Sequence, residues 1–119
     1  MSIFQDKHIL LGVTGGIAAY KAVELLRLLK KAGARVTVSM TESAQYFVGK
    51  TTFQVLSEND VLCELFHTDE STVKHIDIAS SSDAVVIAPA TANFIGKLAN
   101  GIADDALTTT LLAVTCPVM

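Results

Sequence analysis

The sequence has 119 residues, of which 50% are apolar and 18% are charged, a composition typical of one globular domain with a buried core. Its net charge of −3 gives no basic surface for nucleic acid. No apolar run reaches the roughly 20 residues that a membrane helix requires, and no signal peptide is recognisable. We therefore expect a cytoplasmic protein that binds neither nucleic acid nor membrane. Cys63 and Cys116 stand far apart in apolar surroundings, which predicts buried free thiols.

The first element is an apolar run, Ile9–Val13, which predicts a strand buried on both faces. A small-residue turn, Thr14–Ile17, follows and opens directly into a helix. Such a turn exposes unpaired backbone N–H groups and a partial positive charge, so it predicts a phosphate-binding site. The spacing of Gly12, Gly15 and Gly16 is not G-x-G-x-x-G, which disfavours NAD. An ordinary turn that needs glycine for a positive φ explains these residues equally well.

Helical spacing of the apolar residues over Ala22–Leu29 predicts the first helix, which Gly33 ends. Val36–Met40 predicts the second strand, parallel to the first because a single helix joins them. Thr41–Ser43 would cap the next helix, and Phe53–Leu56 predicts another. The residues of the capped helix expected to face inward are Ala44, Phe47 and Val48.

The second half begins with a short edge strand at Cys63–Phe66 and an irregular segment, Thr72–Ser82, that enters a short helix. Ala84–Ala88 predicts a buried strand, which Pro89 ends because proline has no N–H for the ladder. The remaining predicted elements are a helix through Ile95, Leu98 and Ala99, an interruption at Gly101, a helix from Asp104–Asp105 to Ala113, and the start of a strand at Val114–Met119. Asp104 and Asp105 are expected to cap the helix that they begin.

Three predicted strand ends carry small or hydroxylated residues: Thr14–Gly16, Thr41–Ser43 and Ala90–Asn93. Because ligands bind beyond the carboxyl ends of parallel strands, these segments would line one crevice. Hydroxyls and backbone amides on several loops suit flavin mononucleotide (FMN), which has a terminal phosphate and a ring. Two alternatives stay open: Glu42 would also suit a dinucleotide ribose, and the hydroxyls of the second segment would also suit a helix cap.

Of the histidines, His8 and His67 are expected at the surface without a role. His75 lies on the irregular segment facing the crevice, and the alternation of Ile76–Ile78 would fix its direction. A lone histidine is more often structural than catalytic. The sequence contains no serine–histidine–acid set, no paired carboxylates and no metal-ligand spacing that can be assembled with specificity.

Four segments together resemble the phosphopantothenoylcysteine decarboxylase family, whose members often form the N-terminal part of a bifunctional coenzyme A biosynthesis protein. They are Gly15–Lys21, His75–Ala79, Ala88–Asn93 and Lys97–Asp105, and the similarity covers essentially all 119 residues. The resemblance implies an α/β, flavodoxin-like (Rossmann-like) fold, with a three-layer parallel sheet and helices on both faces. It also implies bound FMN and a homotrimer or a dodecamer built of trimers. Residues 1–119 would form a single FMN-binding domain, truncated at its C-terminal end.

The implied reaction is decarboxylation of the small-molecule substrate 4′-phospho-N-pantothenoylcysteine to 4′-phosphopantetheine. In it, FMN oxidises the cysteine side chain to a thioaldehyde, CO₂ is lost, and reduced flavin returns the electrons. His75 maps onto the family's active-site histidine, which would hold the carboxylate or manage a proton. The family's Pro-x-Met-Asn segment and flap cysteine are not in this chain, and Phe94 stands where relatives often have threonine. The expected cofactor-binding residues are Thr14, Gly15, Gly16, Ile17, Thr41, Ser43, Pro89, Ala90, Thr91, Ala92 and Asn93.

Three other functions stay open at this point. The first is another enzyme of the same fold, either a flavin prenyltransferase or a decarboxylase of peptide C-terminal cysteine. The second is a regulatory subunit that binds FMN and catalyses nothing, and the third is a plain nucleotide-binding module. The His-Ile-Asp motif at His75 disfavours a prenyltransferase and an inactive subunit, and a flavin absorption spectrum would exclude the nucleotide module.

Overall fold

The computed structural model describes residues 3–63 and 76–119, and its centre is a parallel sheet of three strands in the order β2-β1-β3. The strands are β1 (His8–Val13), β2 (Arg35–Met40) and β3 (Ala84–Ile87). In register, Ile9 pairs with Val36 on one side and with Ala84 on the other. The parallel arrangement predicted from the strand–helix–strand pattern is confirmed.

Single parallel bridges extend the sheet at both edges. Leu62 bridges to Ser39 beyond β2, one residue before the predicted edge strand, of which residues 64–66 lie outside the described ranges. Val118 bridges to Val85 beyond β3, and the N–H of Ile87 donates to the carbonyl of Met119 at 2.8 Å. The last residues therefore join the sheet, as predicted.

Helices surround the sheet. They are α1 (Ala19–Lys31), a 3₁₀ helix (Ser43–Tyr46), α2 (Lys50–Ser57), α3 with described residues 76–81, α4 (Ala92–Ala99) and α5 (Ala106–Leu112). As predicted, Gly33 ends α1, where it adopts a φ of 95° and its N–H donates to the carbonyl of Lys30 at 3.0 Å. Gly101 also has a positive φ, 68°, and separates α4 from α5. No helix in the described ranges is long and apolar enough to span a bilayer.

Two apolar clusters cover the two faces of the sheet. On one face, Leu11 of β1 belongs to a cluster with Leu26 of α1 and Phe53 of α2. On the other face, Leu10 packs in a cluster with Phe94 and Leu107, from α4 and α5. Successive residues of β1 point to opposite faces, and both faces are covered, so the run is apolar throughout. The expected three-layer α/β fold is confirmed.

Three expectations about exposure are wrong. His8 is 6% exposed rather than a surface residue, because the end of α3 and the loop before β3 cover the start of β1. Its ring nitrogens lie 2.8 Å from Thr37 Oγ1 and 3.1 Å from Ser81 Oγ. Phe47 is 51% exposed, because the 3₁₀ helix is a short turn that buries only Ala44. The predicted burial of the cysteines is also wrong, because Cys63 and Cys116 are both half-buried.

Candidate functional site

A crevice of about 340 Å³ lies beyond the carboxyl ends of the strands, within the size range of roughly 300–1,000 Å³ typical of small-molecule sites. Gly15 follows β1, Thr41 and Ser43 follow β2, and Thr91 and Asn93 follow β3; all of them line it. The strand order reverses at β1, whose neighbours are β2 and β3. Ligands of parallel sheets bind at such reversals. The segments singled out in the sequence thus meet in one crevice.

The turn requires glycine because its backbone lies close to Ser43, and not because of a positive φ. Neither Gly15 nor Gly16 has a positive φ, so the interpretation based on φ is wrong for this turn. A Cβ on Gly15 would collide with the Cβ of Ser43 and lie 2.9 Å from its carbonyl carbon. A Cβ on Gly16 would meet only Pro89 Cγ, at 3.8 Å. The chain's own packing therefore requires glycine at 15 and leaves space at 16.

The start of α1 has no side-chain cap and no acidic residue in its first turn. Within the described residues, the backbone N–H groups from Gly15 to Ala18 donate no hydrogen bond to the protein, and the next one, of Ala19, donates to the carbonyl of Gly16 at 2.9 Å. Four successive donors therefore remain at the turn, at the positive end of the helix dipole. This arrangement suits an anion.

The threonine hydroxyls at the crevice cap helices and still keep a proton to donate. Thr41 Oγ1 accepts from the N–H of Ala44 at 3.2 Å, and Thr91 Oγ1 accepts from that of Phe94 at 3.1 Å. A hydroxyl that accepts one bond can also donate its own proton. Ser43 is exposed and its side chain caps nothing in the described part of the chain. Capping and ligand binding are therefore compatible here.

Thr14 lies behind the crevice and is 1% exposed. Its hydroxyl donates to the carbonyl of Pro89 at 2.5 Å and accepts from the N–H of Thr91 at 3.0 Å. The side chain therefore ties the turn after β1 to the loop after β3. This geometry gives Thr14 a supporting position, because its hydroxyl already has two partners within the chain.

The other expected site residues flank the crevice or lie outside the described ranges. Ile17 is 82% exposed at the start of α1. His75 falls in the undescribed segment, one position before the first described residue of α3. The expected residues that do not line the crevice are Thr14, Gly16, Ile17, Pro89, Ala90 and Ala92.

Sequence reasoning left out one cationic residue of the crevice and gave its partner a different role. Lys97 lines the crevice, and its Nζ lies 3.1 Å from Asp104 Oδ2. Asp105 is the expected cap, since its Oδ1 accepts from the N–H of Thr108 at 2.7 Å, whereas Asp104 forms the ion pair instead. A signal was available: Lys97 follows Asn93 by one helical turn, so both occupy the same face of α4. Glu42 and Phe94 complete the lining.

His8 lies at the opposite end of β1 from the crevice. Burial lowers its pKa below the usual histidine value, and the nearby Arg35 guanidinium adds to this; the Ser81 hydrogen bond and the Asp83 carboxylate act in the other direction. In the described ranges, no three histidine, cysteine or acidic side chains stand together as a metal site would need.

Residues 4–118 match the family model described as Flavoprotein. The chain is 55% identical over 117 residues to the coenzyme A biosynthesis bifunctional protein CoaBC of Bacillus subtilis (strain 168), covering 98% of this chain and 29% of the relative. This chain therefore spans less than a third of the length of that curated relative.

Solved structures agree with this match. The FMN-dependent cysteine decarboxylase TvaF from thioviridamide biosynthesis superposes with a TM-score of 0.86 at 35% identity, over 94% of this chain and 70% of that one. A PPC decarboxylase mutant complexed with pantothenoylaminoethenethiol gives 0.81 at 28% identity, over 96% and 65%. Family model, relatives and fold all point the same way, and the chain belongs to the flavoprotein family.

Proposed function

We propose that this chain is the FMN-binding domain of a phosphopantothenoylcysteine decarboxylase, which converts 4′-phospho-N-pantothenoylcysteine to 4′-phosphopantetheine in coenzyme A biosynthesis. The observation that carries the proposal is a crevice at the strand-order reversal, beside four N–H groups that have no partner among the described residues. The names of the relatives support the choice of cofactor and substrate. The protein would act in the cytoplasm as a homo-oligomer, a trimer or a dodecamer of trimers.

The residues of the crevice fit FMN. The N–H groups of Gly15–Ala18, with the hydroxyls of Thr41 and Ser43, would hold the phosphate, because all of them can donate hydrogen bonds to an oxyanion. The Pro89–Asn93 loop would contact the ring. When bound, FMN supplies reversible two-electron oxidation of the substrate's cysteine side chain, which makes loss of CO₂ possible.

His75 would act on the substrate carboxylate. Imidazole suits this work, since its pKa near neutrality allows it to hold a carboxylate as a cation or to move a proton. Of the described helix residues that follow His75 in the sequence, Ala79 is 1% exposed and Ser81 contacts His8. The sheet thus holds the helix that follows His75.

The test uses the natural protein at its full length, because this chain spans only 29% of the length of the CoaBC relative. The purified protein should be yellow or take up FMN on titration, and it should release CO₂ from phosphopantothenoylcysteine. His75→Asn should keep the flavin and lower the rate by about 10²–10⁴-fold, whereas His67→Asn serves as the matched control with an unchanged rate. A colourless protein that does not bind FMN would overturn the proposal.

A second substrate distinguishes the proposed function from a cysteine decarboxylase that acts on another substrate. The similarity to TvaF favours a cysteine decarboxylase with another substrate as the second candidate. CO₂ release from a peptide with a C-terminal cysteine, and not from phosphopantothenoylcysteine, would support that candidate. A flavin-loaded protein that releases CO₂ from neither would be a non-catalytic subunit.

A further inference from the structure

The crevice is acidic overall, although the proposed function gives it anionic occupants. Its described lining carries three carboxylates, Glu42, Asp104 and Asp105, and one cation, Lys97. FMN and phosphopantothenoylcysteine each bring a phosphate, and the substrate also brings a carboxylate. Repulsion between like charges would oppose binding unless the protein's own carboxylates are compensated.

Two of the three carboxylates have partners within the chain. The Oδ1 atom of Asp105 accepts from the N–H and the Oγ1 of Thr108, both at 2.7 Å, at the N-terminus of α5. The Oδ2 atom of Asp104 pairs with the ammonium of Lys97 at 3.1 Å. The Glu42 side chain belongs to an exposed residue, where solvent screens its charge.

Lys97 combines a fixed position with free donors. Its side chain is 26% exposed, against 54% for that of Asp104. An ammonium has three N–H donors, and within the described residues only one carboxylate oxygen is paired with this one. Lys97 also lies one turn along α4 from Asn93, which lines the crevice as well.

We propose that Lys97 binds an oxyanion of the crevice's occupants, with the ammonium donors that its ion pair with Asp104 leaves available. The oxyanion is the phosphate of FMN or an anionic group of the substrate, which offer the same chemistry to a lysine. The inference rests on the proposed function and adds a binding residue that lies outside the glycine turn and the threonine loops.

A purely structural role for the ion pair makes a different prediction. If the pair only joins α4 to the start of α5, Lys97→Met and Asp104→Asn should have equal effects, because each removes the ion pair. If Lys97 binds an oxyanion, only Lys97→Met removes the necessary charge. Lys97→Arg should keep most of the affinity, since it keeps the cation.

The experiment titrates the full-length apoprotein and its three variants with FMN and with riboflavin, which lacks the phosphate, and follows flavin fluorescence. The flavin-loaded proteins are then assayed for the KM and kcat of phosphopantothenoylcysteine. We expect Lys97→Met to weaken one anionic ligand at least tenfold, with a smaller difference at high salt, and Asp104→Asn to stay within about threefold of the wild type.

Weaker FMN binding with unchanged riboflavin binding assigns Lys97 to the flavin phosphate, and unchanged FMN binding with a raised KM assigns it to the substrate. Unchanged values for both ligands, equal losses in Lys97→Met and Asp104→Asn, or equal losses for FMN and riboflavin would overturn the inference. If the wild type takes up no FMN, the proposed function fails, and this inference fails with it.

Discussion

Thr14 joins two loops of the crevice through one buried hydroxyl. Replacing it in Thr14→Val keeps the shape but leaves the carbonyl of Pro89 and the N–H of Thr91 without this partner. A buried polar group left unpaired costs about 1–3 kcal/mol. We expect a lower free energy of unfolding in urea and weaker FMN binding. Thr14→Ser retains the hydroxyl and should bind FMN like the wild type; equal behaviour of the two variants would contradict the assignment.

Substitutions of Gly15 and Gly16 should distinguish an effect on folding from an effect on ligand binding. Gly15→Ala places a methyl group against Ser43 and should destabilise the fold by about 1–3 kcal/mol, a typical cost of overpacking. Gly16→Ala meets only Pro89 at an ordinary distance of 3.8 Å, so the fold should tolerate it. If FMN phosphate binds at this turn, Gly16→Ala should still weaken FMN roughly tenfold, or about 1.4 kcal/mol. Thermal melts and FMN titrations on both variants test this, and a Gly16→Ala protein with normal FMN affinity would place the phosphate elsewhere.

His8 of β1 connects three elements, because its ring contacts Thr37 of β2 and Ser81 of α3. Because burial lowers the pKa of the folded His8, the unfolded chain takes up its proton first as the pH falls. The free energy of unfolding should therefore decrease as the pH falls below about 6.5, the usual histidine pKa, and level off below the folded pKa. Urea titrations at a series of pH values measure this slope.

The matched variant is His8→Gln, which keeps a polar group but does not titrate. The difference between its pH profile and that of the wild type isolates His8 from the other histidines. Parallel profiles would show that His8 does not contribute to the pH dependence.

Local patterns predicted most elements because their causes are local. The apolar run Ile9–Val13 is continuous since both faces of β1 are covered, and Asp105 precedes the helix that it caps. The burial of His8 was not predictable in this way, because its cover comes from α3, far along the chain. Helical spacing from Asn93 could have placed Lys97 at the crevice, but its ion pair with Asp104 was not predictable, because a turn at Gly101 brings the two side chains together.

The position of the crevice was predictable from the topology of the sheet. Once the strands are parallel, their carboxyl ends share an edge, so the small residues after each strand must meet there. The charge balance of the crevice was not predictable, because the role of each carboxylate depends on partners that only the folded chain supplies. The position of His75 stays a prediction.

The outer face of α4 suggests where copies of the chain would associate. Phe94 of this helix is buried, yet Ile95 is 54% and Leu98 39% exposed, with Ile102 at 47% just beyond. Clustered exposed apolar residues are typical of an interface. We expect light scattering to show a homo-oligomer, and Ile95→Glu to lower its mass.

The control for this prediction is Val55→Glu on α2, another exposed apolar position, at 68%. It should leave the mass unchanged. A stable wild-type monomer would contradict the prediction, and loss of mass in Val55→Glu alone would place the interface on α2.

The central position of β1 also affects how the chain is made. This strand is synthesised early, but one of its edges pairs with β3, and Asp83, which holds the start of β1, follows His8 by 75 residues. Contacts so distant in sequence slow folding. Until β3 has left the ribosome, the nascent chain carries an apolar strand with an open edge, a feature that favours aggregation.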